Sequence, residues 1–226
     1  MKSLVEYVQQ RVKKLREHKI FGKPIFIKDH LHSGLDIQDV INVLSAKIPK
    51  FLFHKIDVLY VGEFDFLVNK EVNALYLDSA IYVTNLQDNI RDMVDDIVHE
   101  LAHSIEENYG HEIYSDGNLE LEFSGKRKTL ERILRANKYD TSKHDFLSLQ
   151  WNTHLDNFFY KIVGYPMMNN LVNGLFASAY GATSLREYFA NGFEEYYLGD
   201  RKYLFEISPK LFQKIDMIDQ IGEQYS

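Results

Sequence analysis

The spacing of apolar residues divides the chain into a helical beginning, a short strand-rich stretch and a long helical remainder. Val5, Val8, Val12 and Leu15 recur every three or four residues, which predicts an amphipathic helix over 5–17. Asp36 is placed to cap a second helix running to about Ala46, with Pro49 just past its end. The period then changes. Residues 56–61, 74–77 and 80–83 are rich in β-branched and aromatic side chains and predict strands, with Asp78-Ser79 turning the second into the third. Thr84-Asn85-Leu86-Gln87 has the form of a capping box, and the helical pattern behind it runs to about Tyr109 and stops at Gly110. Segments 129–136 and 153–163 read as helices in a region that Pro166 and several Asn and Gly interrupt. Ser184 to Leu198 is another amphipathic helix, ended by Gly199, and Ser208-Pro209 opens a last one. Helices, then strands, then many helices predict an α+β fold rather than βαβ repeats. The expected arrangement is one domain over 1–226, with an N-terminal lobe over about 1–110 and a helical C-terminal lobe over about 111–226.

Composition narrows the chemistry. The 226 residues, 45% hydrophobic and 26% charged, suffice for a substantial core. No apolar run approaches the roughly 18 residues of a membrane span. The first residues lack the apolar core of a secretory signal, so a cytoplasmic location is expected. The absence of cysteine rules out disulfides, thiolate metal sites and a cysteine nucleophile; any metal must be held by His, Asp or Glu. A net charge of −7 without a long basic run argues against nucleic acid as the main partner.

One segment carries chemistry of its own: Val98-His99-Glu100-Leu101-Ala102-His103. Two His four residues apart stand one above the other on a helix, so that both imidazoles can reach a single ion. Glu100, between them, can take a proton from a metal-activated water without becoming a ligand. The context fits a helix. Ile90, Met93, Val94, Ile97, Leu101 and Ile105 form one apolar stripe, while Asp92, Asp96, His99, Glu100 and His103 gather on the other side. Asp92 and Asp96 are candidates for orienting an imidazole. The preceding strand, 80–83, is a candidate to pair with an extended peptide.

Catalytic zinc takes three protein ligands. Glu106, Glu107 and His111 follow the pair too closely to bend back to the ion. Glu187 is the better candidate. It lies on the helix whose apolar face is Phe189, Phe193, Tyr196 and Tyr197 and whose polar face is Glu187, Asn191 and Glu194. A competing reading makes Ser184-x-x-Glu187 a capping box and nothing more. His154, with Asp156, is the alternative ligand source.

The segment from Tyr180 to Phe193, reading Tyr-Gly-Ala-Thr-Ser-Leu-Arg-Glu-Tyr-Phe-Ala-Asn-Gly-Phe, resembles the second zinc-binding element of the anthrax-lethal-factor-like metallopeptidases, which include the Pro-Pro endopeptidases. The resemblance covers about 98–103 and 180–197. It implies a zincin-like domain with a small, mostly antiparallel sheet, a zinc ion held by His99, His103 and Glu187, Glu100 as base, and Tyr180 as oxyanion stabiliser or proton donor. Asn191 departs from the family pattern, which tends to have Glu there. Cytoplasmic regulator-cleaving peptidases of the ImmA/IrrE type are similar over Glu187–Phe193, but with their two elements closer together.

The expected activity is zinc-dependent endopeptidase cleavage of a protein or peptide substrate, with an acidic chain favouring neutral or basic peptides. The alternative from another class is an inactive, zinc-bearing binding or assembly module. His30, His32, His111 and His144 have weaker claims to a site. Trp151 and the cluster Phe158-Phe159-Tyr160 read as core.

Overall fold

A computed structural model describes residues 18–32 and 34–224. The helix expected over 5–17 lies outside the described residues. The fold is α+β, and the chain divides into two compact units, Met1–Ile105 and Glu106–Ser226.

The first unit is built on a five-stranded sheet in the order β1-β2-β3-β5-β4. Its strands are β1 (His18–Ile20), β2 (Lys23–Ile27), β3 (Val58–Val61), β4 (Ala74–Leu77) and β5 (Ala80–Val83). The outer pairs, β1–β2 and β4–β5, are antiparallel, and the inner pairs, β2–β3 and β3–β5, are parallel. The sheet is therefore mixed rather than mostly antiparallel. Both hairpins turn on two residues with positive φ, Phe21-Gly22 and Asp78-Ser79. That is the backbone whose twist matches the flanking strands.

Alternation decides the faces. Ile25, Leu59, Val61, Ile81 and Val83 are buried. Their neighbours Phe26, Tyr60 and Tyr82 lie in register across three strands and stack on the other face, with centroids 5.6 and 5.0 Å apart. β5 is flanked by β3 and β4, so both of its edges are taken. This overturns the expectation that 80–83 pairs with a peptide; β4 is the outer strand on that side.

Between β2 and β3 runs helix α1 (Ile37–Lys47), capped by the Asp36 carboxylate, which accepts from the Gln38 N–H. A short helix, α2 (Asp65–Lys70), separates β3 from β4. Helix α3 (Ile90–Tyr114) carries the apolar stripe read from the sequence, and Met93, Val94, Ile97, Leu101 and Ile105 are all buried. It starts later than the Thr84 box predicts. Asn89 is the cap: its Oδ1 accepts from the Asp92 N–H at 3.0 Å and its Nδ2 donates to the Asp92 carboxylate at 2.8 Å. Gln87 turns away and donates to Asp96 at 2.7 Å. The expected stop at Gly110 is a kink at Tyr109 (φ −116°, ψ 20°), beyond which the helix resumes to Tyr114. The division between the two units falls inside α3.

The second unit is helical: α4 (Asn118–Ala136), α5 (Thr153–Asn157) continued by a π-helical turn (Phe158–Val163), α6 (Tyr165–Val172), α7 (Leu185–Leu198), α8 (Arg201–Ile207) and α9 (Pro209–Gln224). Phe158 and Phe159 are core as expected. Trp151 and Tyr160 are not; both are about half exposed. Three charged residues of α4 organise the interior. Lys126 donates to the carbonyls of Leu175 and Ile207 and to the Ser208 hydroxyl, at 2.5–2.7 Å. Arg127, fully buried, donates to the carbonyls of Ala182, Thr183 and Asp145 at 2.8–3.2 Å. Glu122 accepts from the Tyr188 hydroxyl and from the N–H groups of Lys210 and Leu211. A carboxylate at the first turn of α9 thus takes the role the sequence assigns to Ser208, whose hydroxyl is engaged by Lys126.

No helix among the described residues is long and apolar enough to cross a membrane.

Candidate metal centre

The 3.6-residue repeat of α3 stacks the two imidazoles. The rings of His99 and His103 lie 4.9 Å apart, centroid to centroid, and nearly perpendicular. His103 and Glu100 are buried, and His99 is half-buried. The Glu100 carboxylate has a fixed partner, because its Oε2 accepts from the Tyr76 N–H of β4 at 2.5 Å. An outer strand thereby holds the carboxylate by one oxygen.

Glu187 lies in the first turn of α7. The sequence left capping and ligation in competition there. The Ser184 hydroxyl does cap the helix, accepting from the Glu187 N–H at 3.1 Å. That bond uses the backbone N–H of Glu187. Ligand atoms of His99, His103 and Glu187 all lie within 4.8 Å of one another. Among the described residues this is the group of three or more ligating side chains in mutual reach, and neither His154 nor Asp156 belongs to it. Two imidazoles and a carboxylate are a donor set suited to zinc. Ligands at about 2.0–2.2 Å around a tetrahedral ion stand roughly 3.5 Å apart, within that spacing.

Tyr180 opens a 3₁₀ turn, Tyr180–Ala182, and is 39% exposed. The turn is held from within. The Tyr180 carbonyl accepts from both the N–H and the hydroxyl of Thr183, at 2.9 and 2.7 Å. Asn191, placed on the polar face of α7 by the sequence, is buried instead. Its Oδ1 accepts from the Ser178 hydroxyl, and its Cβ would lie 3.3 Å from any side chain added at Gly181.

Asp92 is committed to the α3 cap. Asp156, raised above the usual carboxylate range by burial, also feels the charge of Glu187. So does Tyr165, whose phenol is held above its ordinary range by burial and by Asp156, to which its hydroxyl donates at 3.4 Å. The sequence reading missed Tyr165, because only the fold brings residue 165 into the field of residue 187.

No family model, curated protein or solved structure matches the chain.

Proposed function

We propose that this protein is a zinc-dependent metallopeptidase that hydrolyses peptide bonds with an activated water. The observation that carries the reading is the convergence of His99, His103 and Glu187, with Glu100 anchored between the two histidines in sequence and tied to β4. His99, His103 and Glu187 would hold the ion, within a zincin-like domain. When bound, zinc acts as a Lewis acid, easing deprotonation of water and polarising the scissile carbonyl. Glu100 takes the proton of the attacking water and delivers it to the leaving amine. The Tyr76 N–H keeps one carboxylate oxygen oriented and leaves the other for that transfer. Tyr180, on its braced turn, donates a hydrogen bond to the developing oxyanion.

The test is cleavage of a quenched peptide library by the native protein and by Glu100→Gln, with metal content measured on both. Native cleavage that falls by about 10²–10⁴-fold in the variant, with zinc retained, supports the reading. Zinc bound by the native protein without cleavage of any peptide favours a metal-bearing binding module.

A further inference from the structure

The first turn of α7 is held by a polar network that the reading above leaves unused. Glu106 stands on α3 three residues past His103 and before the kink. Its Oε2 accepts from Arg186 Nε at 3.0 Å, and its Oε1 accepts from the Tyr114 hydroxyl. Burial, and then the Glu106 carboxylate itself, keep the Tyr114 phenol far above its ordinary range, so it remains a proton donor to Glu106. Arg186 is the residue directly before Glu187. Other ties fix the backbone here: Arg127 grips the carbonyls of Ala182 and Thr183, and the Leu185 N–H donates to the Leu149 carbonyl at 2.8 Å. These hold the chain on the approach to α7. The Glu106–Arg186 pair is a side-chain tie from its first turn to the stretch of α3 that belongs to the second unit.

We infer that Glu106, acting through Arg186, is a positioning residue that sets the Glu187 carboxylate against the histidine pair. This rests on the zinc-peptidase reading. The Arg186 side chain is 59% exposed and that of Glu106 14%, and an ion pair open to water on its arginine side adds little to folding. Its effect belongs in metal affinity, where partners outside the ligand set typically count for about 10–100-fold. The sign separates positioning from plain electrostatics. Arg186→Gln removes a positive charge beside a cation site, so charge alone would tighten zinc, whereas loss of positioning weakens it.

The experiment is zinc affinity by chelator competition for the full chain and for Arg186→Gln, Glu106→Gln, the double variant and Glu187→Ala. The Tm of each zinc-free protein is recorded alongside. The expected result is zinc weakened about 10–100-fold in each of the first two variants. The double variant should be no weaker than the weaker single, with the zinc-free Tm of Arg186→Gln close to native. Unchanged or tighter zinc in Arg186→Gln overturns the inference, as do losses that multiply in the double variant. If Glu106→Gln fails to fold because Tyr114 loses its acceptor, Arg186→Gln decides alone. Glu187→Ala tells the two failures apart. Native zinc affinity in that variant removes the ligand assignment and the positioning role together. Zinc lost there but kept in Arg186→Gln removes only the positioning role.

Discussion

Replacing Arg127 with Met tests how the second unit fixes the approach to Glu187. The guanidinium is fully buried, donates to three backbone carbonyls, and lies 5.3 and 5.5 Å from the rings of Phe123 and Phe146. Met keeps the ring contacts but has no donor. Each carbonyl left without its charged partner costs about 1–3 kcal/mol. Removing a buried charge returns part of that, since burial already brings the guanidinium down to about 10. The net loss is about 2–4 kcal/mol. For a chain of this length it corresponds to a Tm lower by roughly 5–15 °C. Differential scanning calorimetry of the zinc-free protein measures it directly. Because two of the carbonyls belong to Ala182 and Thr183, just ahead of the Ser184 cap, zinc affinity should fall in the same variant. A Tm within about 2 °C of native, against that 5–15 °C, would refute the reasoning.

Other outcomes follow from single contacts. Glu187→Ala should lower zinc affinity by more than about 100-fold, beyond the effect of partners outside the ligand set, as read by chelator competition. Gly192→Ala should destabilise by about 1–3 kcal/mol despite the better helix propensity of Ala. A Cβ there would meet Leu211 Cδ2 at 2.2 Å, so a rise in Tm would contradict the packing. Tyr114, Tyr188 and Tyr197 all have phenols raised by burial and by neighbouring carboxylates. The unfolded chain therefore loses protons from about pH 10 that the folded chain keeps, and stability falls as pH rises beyond that point. Absorbance at the phenolate band should show these tyrosines titrating only as the protein unfolds, while exposed ones titrate freely.

What could be read from the sequence was local. The helical repeat announced that His99 and His103 share a face, and the apolar stripe is buried as spaced from Met93 to Ile105. Asp78-Ser79 turns β4 into β5 because short polar residues tolerate positive φ. The β1–β2 hairpin escaped notice because its turn uses Phe21, a residue that rarely takes positive φ, and because Pro24 lies within β2. Strand order escaped for another reason. The partners of β5 are set by topology, and nothing in 80–83 says that both edges are taken. Contacts made across the chain were equally hidden. Glu122 caps a helix 88 residues later, and Glu106 meets Arg186 across 80 residues. Glu187, the proposed third ligand, stood between these cases. Its helix face could be read, its role came from a resemblance, and its place within reach of both histidines required the fold.

Zinc content after exhaustive dialysis, measured by mass spectrometry on the native chain and on Glu187→Ala, tests the central claim most directly. The expected result is about one zinc per native chain, three protein ligands sufficing for one ion, and little or none in the variant. No zinc in the native chain, or equal zinc in both, would contradict it.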